Sequence, residues 1–304
     1  LNLEQELFGA RFQNPVLLAS GTCGYGEEFD DIFDIDVLGG LVIKAVTLEP
    51  RTGNAAPRVA EFPAGMLNSI GLANVGSAAV RSRKLPWLEQ RLRLARVFVN
   101  VAGFTVHEYA EIINRLDDAG GFLGYELNVS CPNVEQGGAV FSTREDLLGE
   151  VVAAARRVTR RPLLVKLAPN VPDIGRMAEV AVAEGADGLT LINTFPGLLF
   201  DTGARRPLLG AGHGGVSGPA ILPMGVHAVA QASRRVRVPI VGVGGIRSGE
   251  DAVQYLLAGA SLVQVGTANF ADPRAGLRVL SGLKRWGDRR GVATVTELVG
   301  ADRS

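Results

Sequence analysis

Residues 163–193 read LLVKLAPNVPDIGRMAEVAVAEGADGLTLIN. Two short apolar runs, LLVKLA (163–168) and GLTLIN (188–193), flank a segment of helical period. The runs are the length of strands and too short for buried helices. Asp173 is placed to cap the helix between them, and Gly185 to close it. Strands that are apolar on both faces suit a parallel sheet covered by helices. The unit is therefore β-α-β.

The same unit recurs along the chain. Further strands read VLLAS (16–20), GLVIKAV (40–46), RVFVNV (96–101), YELNV (125–129), PIVGVG (239–244) and LVQVG (262–266), which makes eight. Thr105 with Glu108, Ser142 with Glu145 and Ser248 with Asp251 have capping-box spacing. Asp272 followed by Pro273 opens the last long helix, and Gly287 is expected to end it. Eight such units predict an α/β fold, a parallel (β/α)8 TIM barrel, as one domain over 1–304. Residues 1–15 read as a hairpin over the barrel floor. Three connections are long, at about 47–75, 129–142 and 194–218, and long loops in a compact domain are usually functional. The competing architecture, a doubly wound sheet, calls for G-x-G-x-x-G after the first strand. SGTCGYGEEF (20–29) lacks that spacing.

Composition narrows the function. The chain has 304 residues, 47% hydrophobic and 20% charged, with 31 basic and 31 acidic residues. That balance gives no basic stripe for nucleic acid or membrane. No apolar run approaches the roughly 20 residues of a membrane span. The first residues resemble neither a signal peptide nor a presequence, so the expected location is the cytoplasm. Two distant cysteines, Cys23 and Cys131, make no disulfide framework, and no His/Cys spacing suits a metal. His107, His213 and His227 read as solvated or structural. Only four basic residues are lysines: Lys44, Lys84, Lys166 and Lys284. A chain that otherwise uses arginine keeps lysine where an ammonium is needed.

Chemistry in such a barrel collects at the carboxyl ends of the strands. Those ends read Ser20, Lys44, Asn100, Asn128, Lys166, Asn193 with Thr194, Gly244 with Gly245, and Gly266 with Thr267. Each alone is an ordinary strand end; six polar ends on one rim are not. Lysines in VIKAV and LVKLA are costly unless they meet an anion or a polar ligand. The two glycine-rich junctions suit a phosphate, through close backbone approach. A phosphate site beside lysines, amides and a thiol fits flavin mononucleotide (FMN). Its phosphate is expected on Gly244–Gly245 and Gly266–Thr267. Lys166 is expected at the pyrimidine edge of the flavin, and Ser20, Asn100 and Lys44 at the ring edges.

The motifs ASGTCGYG (19–26), KAVT (44–47), NSIGL (68–72), NVSCPN (128–133), INT (192–194), VSGPA (216–220), VGVGGI (241–246) and VGTA (265–268) resemble class 1 dihydroorotate dehydrogenases in order and spacing, over about residues 2–300. The Cys-Pro pair places the resemblance with class 1, and NVEQGGAVF (133–141) is most similar to the class 1B catalytic subunit. The resemblance implies oxidation of (S)-dihydroorotate to orotate in pyrimidine biosynthesis. Cys131 is then the base that takes the C5 proton, while a hydride from C6 passes to FMN. It implies that Lys44, Asn68, Ser69, Ile70, Gly71, Leu72, Asn128, Asn133, Asn193 and Thr194 hold substrate. Ser20, Lys44, Ala45, Asn100, Asn128, Lys166, Ile192, Gly218, Gly244, Gly245, Gly266 and Thr267 line the FMN site. It also implies a homodimer core and a second subunit carrying FAD and a [2Fe-2S] cluster, two chains of each kind, which passes electrons to NAD. Two cysteines here cannot hold a cluster that normally takes four. Pro132 restricts Cys131 to an extended conformation, which fixes the thiol's direction. Ser130 is read as a proton relay or a loop cap, and Cys23 as packing.

Three other readings compete: an FMN barrel acting on a uracil-like ring, a flavin-free isomerase or lyase using Lys44 or Lys166, and a non-catalytic binding barrel. Flavin colour separates the first from the other two. Dihydrouracil against dihydroorotate as reductant separates it from the dihydroorotate reading.

Overall fold

The computed structural model describes residues 1–129 and 138–301. The chain opens with an antiparallel hairpin of β1 (Gln5–Leu7) and β2 (Ala10–Phe12). The barrel begins with β3 (Val16–Leu18) and β4 (Gly40–Val46). The chain then leaves it for β5 (Val59–Phe62) and β6 (Gly65–Asn68). It returns for β7 (Arg96–Val101), β8 (Gly124–Asn128), β9 (Leu163–Lys166) and β10 (Gly188–Leu191). A second excursion forms β11 (Phe195–Gly197), β12 (Phe200–Asp201), β13 (Arg206–Pro207) and β14 (Gly214–Ser217). β15 (Ile240–Val243) and β16 (Leu262–Val265) complete it. β3, β4, β7, β8, β9, β10, β15 and β16 pair in parallel as a closed barrel. All eight expected strands are present, within two residues at each end.

The floor is apolar. Leu17, Val42, Phe98, Leu164, Val241 and Leu262 form one buried cluster with Phe12, and Leu7, Phe8 and Ala10 of the hairpin pack beneath it. The hairpin therefore closes the amino-terminal end of the barrel. The helices seal the outside through the larger core cluster, which includes Ile112, Ile113, Val151, Val152, Ala228 and Val229. Among the described residues, no helix is long and apolar enough to cross a membrane.

The start and stop signals hold in part. Ser248 and Asp251 form a reciprocal capping box on the helix Gly249–Ala258. Asp173 caps Ile174–Ala183 through the Arg176 N–H, and Gly185 follows with φ 107°. Thr105 accepts from Glu108 N–H, but the Glu108 carboxylate reaches Phe104 N–H, one residue before the cap. The Ser142–Glu145 box does not form. Ser142 lies buried in the short helix Gly138–Thr143, and Arg144 takes the extended cap position before Glu145–Val158. Gly287 does not end the last helix. That helix runs from Ala275 to Arg290 and stops at left-handed Gly291. Gly287 instead lets the helix approach the amino terminus: a Cβ there would lie 2.5 Å from Leu1 Cδ2.

Two of the long connections hold structure that local sequence patterning does not display. β5, β6, β14 and β11 pair into a four-stranded antiparallel sheet. Its register sets Asn68 against Gly215 and Met66 against Ser217. The sheet joins two excursions from distant parts of the chain.

Candidate active site

A cavity of about 440 Å³ is walled by the carboxyl ends of the barrel strands and by this sheet. Lys44 and Ala45 both reach it, although neighbours on a regular strand face opposite sides. The register between β4 and β7 explains this. Ile43 pairs with Val99 and Val46 with Val101, so β4 carries one extra residue there. The bulge turns both side chains towards the mouth.

β8 delivers Asn128 to the wall, and the Tyr109 hydroxyl donates to the Asn128 carbonyl at 2.9 Å. Beyond β10, Ile192, Asn193 and Thr194 line the same cavity. A chain of carboxamides runs inward from them. Asn193 Nδ2 donates to Asn128 Oδ1 (3.2 Å), Asn128 Nδ2 to Asn100 Oδ1 (3.4 Å), and Asn100 Nδ2 to Glu126 Oε1 (2.7 Å). Lys166 lines the cavity floor, with Nζ 3.3 Å from Ser20 Oγ and 3.8 Å from Glu126 Oε1.

The glycine turns form the other side. Gly244 and Gly245 have φ of 127° and 75°, a region open to glycine and strained for other residues. At Gly245 a Cβ would also lie 2.7 Å from Leu222 Cβ. Gly266, Thr267 and Gly218 complete this wall, and the Thr267 hydroxyl donates to Ser217 Oγ at 2.8 Å. That bond ties the last barrel junction to the covering sheet. From the end of β6 comes Asn68, and from the segment that follows it Ile70, Gly71 and Leu72. Asn68 Nδ2 donates to the Gly215 carbonyl at 3.1 Å. Gly215 must be small: a Cβ there would lie 2.1 Å from Thr194 Oγ1.

Two expected wall residues sit behind the wall. Asn100 is fully buried in the barrel interior and contacts Ser20, Asn128 and Glu126. Its strand end lies one layer below the mouth, so its side chain supports the wall. Ser69 is 2% exposed, and its hydroxyl accepts from Asn54 Nδ2 at 2.8 Å. Ser130, Cys131, Pro132 and Asn133 lie outside the described residues. Cys23 is fully buried, with its thiol directed at the Ala19 and Val42 carbonyls, and burial pushes its pKa up to about 12. It stays a protonated packing residue at neutral pH. No cluster of three or more His, Cys, Asp or Glu suited to a metal occurs among the described residues.

This arrangement matches a known family. Residues 2–286 fit the family described as dihydroorotate dehydrogenase. The chain belongs to the dihydroorotate dehydrogenase family. It is 51% identical over 298 residues, 98% of this chain and 97% of the relative, to a Solibacter usitatus protein provisionally named dihydroorotate dehydrogenase A (fumarate). It is 50% identical over 295 residues, 97% and 96% of the two chains, to a Pelobacter propionicus protein named dihydroorotate dehydrogenase B (NAD(+)), catalytic subunit. A Geotalea daltonii protein of that same name is 47% identical over 300 residues, 99% and 98% of the two chains. The crystal structure of dihydroorotate dehydrogenase from Eimeria tenella, in complex with ferulenol, matches with a TM-score of 0.85 at 25% identity, covering 99% of this chain and 89% of that one.

Within this dihydroorotate dehydrogenase barrel, the sequence reading missed the support beneath the site. Glu126, Thr190 and Gln264 are fully buried. Glu126 lies two residues before the wall residue Asn128 on β8 and so shares its face, while Thr190 and Gln264 stand on β10 and β16 just below the junctions that carry Ile192 and Gly266. That period-2 pairing was the available signal. Tyr255 was also missed. Its hydroxyl lies 3.1 Å from the Val243 carbonyl and 2.8 Å from that of Gly244, and so holds the glycine turn from behind. Tyr255→Phe is expected to cost about 1–2 kcal/mol, because the Gly244 carbonyl loses this donor, whereas that of Val243 keeps the Ile192 N–H. Thermal denaturation should show the loss, and binding of a phosphorylated ligand at the turn should weaken. An unchanged melting temperature would remove the hydroxyl's role.

Proposed function

We propose that this chain oxidises (S)-dihydroorotate to orotate with FMN bound across the barrel mouth, as the FMN-carrying catalytic subunit of an NAD-linked enzyme. The observation that carries the reading is one cavity with Lys44, Lys166, Asn128 and Asn193 on one side and the Gly244–Gly245 turn on the other. A phosphorylated ring system needs both. The residues fit FMN: two positive-φ glycines give backbone access for phosphate, and the buried lysine faces the same space. Gly244, Gly245, Gly266 and Thr267 hold the phosphate. Ser20, Ala45, Lys166, Ile192 and Gly218 bound the ring system, with Asn100 supporting them from beneath. Bound FMN supplies a two-electron acceptor for the hydride at dihydroorotate C6.

The chain's own groups do the rest. Lys44, Asn68, Asn128, Asn193 and Thr194, with Asn133, bind the substrate ring and its carboxylate, assisted by the backbone of Ser69 to Leu72. Cys131 takes the C5 proton. The sheet formed by β5, β6, β14 and β11 covers the cavity and limits access of water.

Electrons leave through a second subunit carrying FAD and a [2Fe-2S] cluster, docked on a homodimer of this chain. Support comes from relatives named as the catalytic subunit of an NAD(+) enzyme. The relative named for fumarate makes fumarate the competing acceptor. The isolated chain, loaded with FMN, should reduce artificial dyes with dihydroorotate but not NAD. NAD reduction should appear when an iron–sulfur flavoprotein partner is added. Steady-state assays with dye, NAD and fumarate check this. Rapid fumarate or NAD reduction by the chain alone would sink the partner reading, and reduction by dihydrouracil in place of dihydroorotate would sink the substrate.

A further inference from the structure

The middle of the barrel interior is polar, unlike the apolar layer below it. Glu126 sits there with no exposure. Oε1 accepts from Asn100 Nδ2 at 2.7 Å and lies 3.8 Å from Lys166 Nζ. Oε2 accepts from Thr190 Oγ1 and Gln264 Nε2, both at 2.9 Å. Donors from β7, β10 and β16 thus converge on one carboxylate, and β9 contributes the ammonium beside it. Burying a carboxylate costs several kcal/mol even when it is paired, and apolar side chains fill such barrels without that cost. Glu126 is not part of the cavity wall, whereas Lys166 is. The lysine therefore connects the buried carboxylate to the cavity.

We infer that Glu126 is a positioning residue: it fixes the Lys166 ammonium at the cavity floor, offsets part of its charge, and so sets how readily a ring bound there accepts electrons. The inference rests on the FMN reading of the cavity. An ammonium at that ring favours the negative charge gained on reduction, and a carboxylate behind the ammonium opposes it. The other three donors keep the carboxylate in place whether or not a ligand is present. A packing role alone would affect stability and leave the redox equilibrium unchanged.

The test compares wild type and Glu126→Gln, both loaded with FMN, in an anaerobic titration against a reference dye at pH 7. Glutamine keeps the shape and removes the charge. The reduced-to-oxidised flavin ratio at a fixed dye potential should rise about tenfold, which is about 30 mV for a two-electron couple. If the Gln protein does not fold, Glu126→Asp carries the test. It keeps the charge but withdraws it by one methylene, and the ratio should rise in the same direction by about threefold. A variant that binds FMN with an unchanged or lower ratio overturns the inference and leaves the FMN reading standing. A wild-type chain that takes up no FMN overturns the FMN reading and the inference with it.

Discussion

Cys131→Ala should leave a folded, yellow protein whose flavin dihydroorotate no longer reduces. The expected loss is about 10²- to 10⁴-fold in the anaerobic reduction rate, the range that a positioned general base contributes. A proton on carbon next to a carbonyl is a weak acid, and water removes it slowly. A thiol with an ordinary pKa of about 8.5 supplies thiolate at a useful level near neutral pH when it is correctly placed. Cys131→Ser should be nearly as slow, because a hydroxyl is a far weaker base. Flavin uptake should survive in both, since the glycine turns and Lys166 belong to other strands. The other cysteine cannot substitute: Cys23 is fully buried and its pKa is pushed up to about 12. Stopped-flow absorbance of the bound flavin gives the rate. Near-normal reduction in the Ala variant would move the base elsewhere.

Lys166→Ala should damage both binding and stability, for two separable reasons. The cavity loses a cation that is 8% exposed, and a hydrogen bond to a charged group is worth about 1.5–3 kcal/mol. FMN affinity should fall roughly 10- to 100-fold. Below the cavity, Glu126 keeps its charge without its ion-pair partner. Removing one member of a buried pair typically costs about 3–5 kcal/mol. The melting temperature of the flavin-free protein should then drop by several degrees, about 5 °C or more. Adding Glu126→Gln to this variant removes the stranded charge. The double variant should recover much of the melting temperature but not the FMN affinity. Isothermal titration and differential scanning calorimetry read the two quantities. Recovery of affinity together with stability would mean that the lysine acts only by packing.

The barrel was legible because its signals are local. Each strand is a short apolar run such as GLVIKAV, and several helices carry a start or stop residue, as Asp173 and Gly185 do. Period and capping depend on neighbours a few positions away, which sequence displays directly. The hairpin over the floor and the glycine turns at Gly244–Gly245 followed for the same reason. The failures were local rules overridden by packing. Gly287 sits inside a helix, where it leaves room for Leu1, and Ser142 is buried in a helix that ends just before the one it was expected to cap. The polar wall was readable as strand ends, but not its depth. Asn100 lies behind the wall and both Lys44 and Ala45 lie on it, because strand stagger and the β4 bulge set how high each end stands. The covering sheet was hidden as well, since β6 and β14 pair across four of the barrel strands, with Asn68 and Gly215 147 residues apart. The Glu126 network shows the limit most clearly. Its partners Asn100, Thr190 and Gln264 lie 26, 64 and 138 residues away. Local patterning was enough to give eight strands that bring six polar ends and two glycine-rich junctions to one rim. Which of those groups touch, and that a buried carboxylate stands beneath the lysine, was decided only when closure of the barrel fixed the register between strands.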